Sequence, residues 1–565
     1  MTNRRELFRV AAAAAGIVIA NGLGPLGRAA AQQRLKQADI LQFDAVGQVT
    51  ILHIADLHAQ LVPGYCREPS LNVGVGEAAG VVPHLTGDDF IRHFGIDARS
   101  GAAYALTSND FTALAEYYGR LGGLDRVATV VKAVRAERGA DKVLLLDGGD
   151  TVQGSLGAFR TKGQDVVDCY RLLKPDAMTG HWEFAYGEAR LKELIGSLGF
   201  PFLALNVQDT EWQEPVFDAV KMFEKGGVKV AVLGQAYPYT AVSNPRWMFP
   251  KWSFGIREQE IREQVKKARA GGAELVILLS HNGFDIDRKL AARVPGIDVI
   301  LTAHTHDALP EPVRVGKTLL IASGSAGKFL SRLDIEIKDG NVKDFRYKLM
   351  PLFADVIDPD PEMKRAIDNV RAPFATELSR VVGHSESLLY RRDSLGGTLD
   401  GLICAALIEQ RDAEIALSPG TRWGMSVLPG APITVEDIHN ATAITYPQAY
   451  RMPMSGARLK DILEDAADNL LHPDPYYRQG GDMVRSGGLG YVIDPGKPVG
   501  QRISNITMLS TGQPLDAGKE YVVAGWASMN EGTEGPPVWD VVEKYIAHRR
   551  TVRFEPQSAI KIVGG

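Results

Sequence analysis

The chain is 565 residues long, 45% hydrophobic and 23% charged, with a net charge of −5. That length exceeds what one hydrophobic core serves, so two or more domains are expected, and the composition is that of a soluble globular protein. The acidic balance leaves no basic footprint for nucleic acid, and three widely spaced cysteines, Cys66, Cys169 and Cys404, speak against a disulfide framework or a thiolate metal site.

The chain opens on Thr2-Asn3-Arg4-Arg5-Glu6-Leu7-Phe8, which has the form of a twin-arginine export signal. A weakly apolar, Ala-rich stretch follows at 10–20. Ala29-Ala30-Ala31 then offers a cleavage site that would start the mature chain near Gln32. Residues 1–31 are therefore expected to be a signal peptide that delivers a folded, metal-loaded protein to the periplasm. The apolar run is too short and too interrupted by Gly to cross ~30 Å of hydrocarbon, and no other stretch reaches the ~18 apolar residues of a spanning helix. No membrane contact is expected after cleavage.

Further along, residues 48–54 alternate and read as a strand running into Asp56. From 63 to 119 the pattern dissolves into Gly, Pro and Ser, the mark of an insertion. A helix is expected from Gly122-Gly123 to about Arg138, then a strand at 142–146 leading into Asp147-Gly148-Gly149-Asp150. Residues 202–205, 228–233, 275–279, 299–301 and 319–322 are apolar runs of strand length, with helices at 188–197 and 258–270 between them. Strands rich in Val, Ile and Leu that alternate with helices predict an α/β fold with sheets covered on both sides. The chain's Asp and His loops fall just after strand ends, where ligands bind in open α/β sheets. Residues 355–360 mark a boundary, and 355–381 reads as a linker helix with Pro373 as a candidate break. A second domain restarts at 382 and continues to 565, with a helix at 397–410 followed by Glu414-Ile415-Ala416-Leu417-Ser418.

Five loops carry the chemistry: Asp56-Leu57-His58, Gly148-Gly149-Asp150, Gly180-His181-Trp182-Glu183-Phe184, Ser280-His281-Asn282-Gly283 and Ala303-His304-Thr305-His306. Side chains alternate along extended backbone, so the spacing of Asp56 and His58, and of His304 and His306, puts each pair on one side of its segment. A lone H-x-H is more often an ordinary surface or core feature than a ligand pair; five such loops in one chain are far more specific. Carboxylate and imidazole together suit manganese, iron or zinc.

In this order the loops resemble those of the binuclear metallophosphatases, in the 5′-nucleotidase branch. Where those enzymes read G-N-H-E-F-D, this chain reads Gly180-His181-Trp182-Glu183-Phe184-Ala185. That departure resembles the SoxB thiosulfohydrolases of bacterial sulfur oxidation. The resemblance implies a four-layer αββα sandwich over residues 40–350, followed by an α+β C-terminal domain of 5′-nucleotidase type. It also implies two metal ions, manganese before zinc or iron. Asp56, His58 and His306 would hold the first, His181, His281 and His304 the second, and Asp150 would bridge both.

A two-metal site acidifies a shared water and holds a tetrahedral oxyanion. A phosphate ester also needs its alkoxide leaving group protonated, worth ~10²–10⁴-fold. Trp182 cannot transfer a proton and Ala185 has no carboxylate to steady an acid, so a weakly basic sulfur leaving group is expected. The plainer alternative makes Trp182 a pocket wall in a slow phosphatase. Glu183 is expected to orient a ligand His. Asp150, His181, Trp182 and Arg422 are the expected catalytic set. Substrate contacts are expected from Trp182, Tyr186, Arg422, Trp423, Asp482 and Arg485, with Arg422 clamping a sulfonate and Asp482 accepting peptide N–H groups. Tyr446 and Tyr491 are the candidates for an aromatic pair around a base. The resemblance further implies a monomer that acts on a cysteine S-thiosulfonate at the C-terminal arm of the carrier SoxYZ, releasing sulfate. Two alternatives stay open: a periplasmic 5′-nucleotidase or cyclic-nucleotide phosphodiesterase, and a non-catalytic binding protein on the same scaffold.

Overall fold

Residues 143–147 read Val-Leu-Leu-Leu-Asp and are buried at every position, as are Val49–Ile54 and Leu275–Ser280. A strand apolar on both faces needs cover on both sides, and the architecture follows from that need. In the computed structural model, which describes residues 35–479 and 481–563, these strands belong to two sheets. The expected twin-arginine signal at 1–31 lies outside the described residues.

The first sheet runs Asn341–Pro351, Phe329–Lys338, Val49–Ile54, Val143–Asp147, Ala177–Met178. The last three strands are parallel and the first two join antiparallel. The second sheet has six strands in the order Val313–Val315, Thr318–Ala322, Val299–Thr302, Leu275–Ser280, Val228–Gln235, Val220–Lys225. Side chains of both sheets meet in one core, with Ile51, Leu144 and Leu146 from the first and Val230, Ile277 and Leu301 from the second. Each such buried side chain contributes ~1.5–3 kcal/mol of apolar transfer. Helix Leu124–Arg138 covers the first sheet, and Glu258–Ala270 and Phe284–Arg293 cover the second. The result is a four-layer αββα sandwich.

Residues 202–205 are not a regular strand. They make single bridges, Met178 to Phe202 and Leu203 to Asp218, because their N–H groups are shared between two neighbours. Leu203 bonds the Met178 carbonyl (2.8 Å) and Leu205 the Gly234 carbonyl (2.9 Å). A Cβ on Gly234 would lie 2.2 Å from the Leu203 Cβ, so that crossing requires glycine.

The chain divides into two compact units. One holds the residues up to Tyr65, Gly87–Gln153 and Arg160–Pro373; the other holds Cys66–Thr86, Gly154–Phe159 and the chain from Phe374 onward. The 63–119 stretch, read from sequence as one insertion in the first domain, is thus shared between the units. Its later part forms three short helices in the first unit, Gly87–Phe94, Gly101–Leu106 and Phe111–Tyr118, where Tyr104 stacks on Tyr118. Its earlier part is tied into the second unit by polar contacts. Glu68 pairs with Arg392, Leu71 donates its N–H to Asp393 (2.8 Å), and Val73 donates to the Ser394 hydroxyl (3.1 Å).

The linker helix is Pro361–Arg371, capped by Asp360. It breaks at 372–374, around Pro373, before a last turn Ala375–Leu378. In the second unit, helix Thr398–Gln410 packs on strand Ile415–Ser418 and on helix Val538–Arg549, and Leu459, Leu463, Tyr491 and Val523 share its core. Cys66, Cys169 and Cys404 are free and buried. No described helix is long and apolar enough to cross a membrane.

The Glu68–Arg392 pair is nearly enclosed, with both side chains under a tenth exposed. Removing one partner of such a pair strands a buried charge. Glu68→Gln is expected to destabilise the second unit by about 3 kcal/mol and to open residues 66–86 to protease. Calorimetry and limited proteolysis check both; an unchanged melting transition with intact protection would show that the strap is held by something else.

Candidate metal centre

All seven expected ligands sit on turns that directly follow strands of the sandwich, and five of them share an unusual backbone. Asp56, His58, Asp150, His304 and His306 have φ of 53°, 48°, 59°, 77° and 59°. Left-handed backbone in non-glycine residues costs of order 1–3 kcal/mol each and persists only where the surroundings enforce it. Here a backbone lattice does so. Asp56 donates its N–H to the Gly149 carbonyl (2.9 Å), His58 to that of Asp150 (2.7 Å), and Ala326 to that of Asp56 (2.8 Å). Gly149 must be glycine: its φ is 92°, and a Cβ would lie 2.7 Å from the Gly180 Cα.

These turns bring the side chains into two buried quartets, Asp56, His58, Asp150 and His306, and Asp150, His181, His281 and His304. Within each quartet the ligand atoms lie within 4.8 Å of one another, and Asp150 belongs to both. Its Oδ2 faces three imidazoles: His281 Nε2 at 3.1 Å, His181 Nδ1 at 3.4 Å and His58 Nε2 at 3.6 Å. Its Oδ1 accepts the Trp182 backbone N–H at 2.7 Å. In the first quartet, His58 Nε2 and His306 Nε2 stand 3.1 Å apart, and His306 Nε2 is 3.7 Å from Asp56.

Outer partners hold two of the imidazole rings. His281 Nδ1 lies 2.6 Å from the Gly148 carbonyl oxygen, which can only accept, so Nδ1 carries a proton and Nε2 is the nitrogen that faces Asp150. The Ser243 hydroxyl lies 3.2 Å from His181 Nε2 and bonds the Thr240 carbonyl, so Nδ1 is the His181 nitrogen that faces Asp150. Such outer partners orient metal-binding imidazoles. Two carboxylates and five imidazoles whose ligand atoms converge fit a pair of divalent ions of the manganese, iron or zinc type. The fold and these clusters define a dimetal site.

Electrostatics agree with that donor set. Burial would push Asp150 upward, but His281, His181 and His58 hold its carboxyl well below the usual range. Burial drives Asp56 well above it and lowers His58 to about 4 despite Asp150. At His281 burial also acts downward, but Asp150, Asp56 and the Gly148 carbonyl together outweigh it and raise the imidazole to about 9.

Glu183 orients a loop and not an imidazole ring. Its carboxylate accepts backbone N–H groups of His181 (2.8 Å), Thr151 (2.6 Å) and Asp150 (3.2 Å), tying the two ligand turns together. Trp182 is 8% exposed, and its indole leans on the His181 ring, centroids 4.9 Å apart. Ala185 is buried beside it. The Tyr186 hydroxyl donates to the Val152 carbonyl (2.9 Å), so its donor serves the loop. Two residues escaped the sequence reading. Ser243 is one; Tyr237 is the other, stacked on His304 at 4.2 Å and 4.0 Å from the His181 ring. Tyr237 lies just past the end of strand Val228–Gln235, and that position was the one signal for it.

The remaining expected substrate residues belong to the second unit. Arg422 Nε donates to Asp482 (3.1 Å), and the other Asp482 oxygen accepts from Arg485 (2.9 Å). Asp482 is therefore engaged by two guanidinium groups in place of the expected peptide N–H groups. Arg485 is buried and also donates to the carbonyls of Ser394 and Met483, which suits a pin for the 481–485 loop better than a substrate contact. Trp423, Tyr446 and Tyr491 are buried, and Tyr491 lies in the hydrophobic core, so an exposed aromatic pair is not formed by the two tyrosines.

Known proteins carry the same two parts. The calcineurin-like phosphoesterase family matches residues 49–308, and the 5′-nucleotidase C-terminal domain matches 381–543. The rat 5′-nucleotidase is 26% identical over 477 residues, covering 76% of this chain and 81% of its own length. A 5′-nucleotidase precursor from Thermus thermophilus shares the fold, with a TM-score of 0.71 at 20% identity over 92% of this chain and all of its own. The sulfate thiohydrolase SoxB of the same organism is 35% identical, covers 93% of this chain and 98% of its own, and superposes with a TM-score of 0.89. Sandwich and double quartet together define a hydrolase of the binuclear metallophosphatase class. Within that class, at this identity and coverage, the chain belongs to the SoxB family.

Because His281 titrates near 9 in the metal-free protein, it is protonated at neutral pH, and a metal must displace that proton. Metal loading at pH 7 is expected to release at least one proton, and apparent affinity to climb roughly tenfold per pH unit until about pH 9. Calorimetric titration in two buffers of different ionisation enthalpy measures the release. Loading without proton release would contradict the electrostatic picture.

Proposed function

We propose that this chain hydrolyses a cysteine S-thiosulfonate on the C-terminal arm of the carrier SoxYZ. Sulfate is released and a persulfide stays on the cysteine. The observation that carries the reading is Trp182: the residue after ligand His181 is an indole, and Ala185 supplies no carboxylate beneath it. Membership of the SoxB family, one of whose solved members is named a sulfate thiohydrolase, supports it.

When bound, two divalent ions would supply positive charge for a tetrahedral oxyanion and lower the pKa of a water; we propose manganese. Asp56, His58 and His306 would hold one ion, His181, His281 and His304 the other, and Asp150 both. The chain's own residues do the rest. Asp150, with Oδ1 fixed by the Trp182 N–H, sets the spacing of the two quartets. Glu183 keeps the turns of Asp150 and His181 in register. Trp182 covers the His181 side and limits water there. Arg422, whose planar fork suits a sulfonate, is the proposed anion contact of the second unit.

In the reaction, the water oxygen bonds to the sulfonate sulfur and the S–S bond breaks. Its electron pair leaves with the persulfide sulfur, and the water protons pass to solvent. A persulfide is far less basic than an alkoxide, so no side chain needs to protonate it. We further propose that the protein works as a monomer in the periplasm, exported by the twin-arginine signal at residues 1–31.

A nucleotide-directed phosphoesterase is the second reading, favoured by the 5′-nucleotidase relatives at 26% identity. One assay separates the two: sulfate release from a peptide bearing a thiosulfonated cysteine against phosphate release from AMP at equal concentration. Sulfate release is expected to be the faster. The reverse order would transfer the assignment to the nucleotidase reading. In the double variant Trp182→His with Ala185→Asp, phosphate ester hydrolysis should rise, by up to ~10²-fold, while thiosulfonate hydrolysis gains nothing.

A further inference from the structure

The imidazoles of the His181 quartet surround one aromatic side chain to which the hydrolytic step gives no part. Tyr237 stands two residues past strand Val228–Gln235 and is 1% exposed. Its ring centroid lies 4.2 Å from that of His304 at an interplanar angle of 26°, 4.0 Å from that of His181 at 42°, and 6.4 Å from that of His281 at 83°. These are the three imidazoles of one quartet. The backbone around Tyr237 is fixed to two of the same turns. Its N–H donates to the Gly180 carbonyl (3.1 Å), one residue before His181, and the Gln235 carbonyl accepts the His281 N–H (2.8 Å).

An imidazole binds a cation through a lone pair that lies in the plane of its ring. Rotation about the Cβ–Cγ bond therefore swings the ligand atom away from the ion. That torsion is intrinsically broad, so neighbours must restrict it. His281 has the Gly148 carbonyl at its Nδ1, and His181 has the Ser243 hydroxyl at its Nε2. A hydrogen bond of this kind holds a ring by one atom, whereas a stacked face holds its plane. The face of His304 is held by the Tyr237 ring, and at its edge a Cβ on Gly283 would lie 3.5 Å from the His304 Cδ2. The face of an aromatic ring is also negative. A metal-bound imidazole gains positive charge, so the contact strengthens when an ion is bound.

We propose that Tyr237 is a positioning residue for the ion held by His181, His281 and His304. Its ring sets the planes of the His181 and His304 imidazoles and thereby raises the affinity for that ion. Asp150 serves both ions, but the three rings that meet Tyr237 belong to one quartet, so the effect falls on one ion of the two. The flat face acts and not the hydroxyl, so phenylalanine should serve in its place. None of this depends on the identity of the substrate.

The test uses manganese alone as the probe, on the full chain. Titration of metal-free protein, followed by the electron paramagnetic resonance of free manganese, gives the two affinities. In Tyr237→Leu one of them should fall about tenfold while the other is unchanged, and Tyr237→Phe should keep both. In crystals of Tyr237→Leu soaked at limiting manganese, the anomalous peak within the His181 quartet should be weaker, relative to the other peak, than it is in wild type. Wild-type affinities in Tyr237→Leu would overturn the proposal. So would an equal fall in both affinities, or a fall as large in Tyr237→Phe, since either would make Tyr237 a packing residue only. If the leucine variant does not fold, Tyr237→Met fills the space without a flat ring and is judged by the same titration on the same terms.

Discussion

The structure depends on one carboxylate. Asp150 is buried, belongs to both quartets and faces three imidazoles through one oxygen while a backbone N–H holds the other. A buried anion without compensation is costly, and the cost falls sharply only when cations or charged hydrogen-bond partners meet it. The surroundings answer that demand in layers. Imidazoles form the inner layer. Their outer nitrogens are fixed by a carbonyl at Gly148 and a hydroxyl at Ser243, and Glu183 binds the turns from beneath. The left-handed backbone at five ligands is the strain this arrangement stores. The paired sheets behind it are rigid enough to sustain that strain, because the strands that end at the ligands are buried along their whole length.

The same layering accounts for how the family departs from its phosphoesterase relatives without changing fold. The ligand turn Gly180-His181-Trp182 keeps its backbone role, since the Trp182 N–H serves Asp150 whatever the side chain is. Only the side chain is free to change, and an indole there removes a proton donor while adding an apolar wall against His181. The side chain at 182 can thus vary while the ligand turn is held by a backbone atom that the side chain does not control.

Much of this was legible in the sequence because the informative signals are local. Apolar runs of strand length gave the inner strands, and Asp or His directly after them gave the ligand turns. What was not legible depends on partners far along the chain. Ser243 lies 62 residues from His181, and nothing in its own neighbourhood marks it. The strap 66–86 belongs to the second unit through Glu68 and Arg392, 324 residues apart. Strand Phe329–Lys338 carries Arg332 and Asp334 into the interior; their burial makes sense only beside Glu137 and Arg138. Arg422 and Asp482 were each read as substrate contacts because their mutual bond spans two loops that sequence alone does not bring together.

The central claim is that one carboxylate serves two ions. It is tested most directly by diffraction from manganese-loaded crystals, with anomalous differences collected at the metal edge. Two peaks are expected, ~3.5–4 Å apart, one within the quartet of His58 and His306 and one within that of His181, His281 and His304, with Asp150 in contact with both. A single peak, or two peaks of which Asp150 touches only one, would contradict the account.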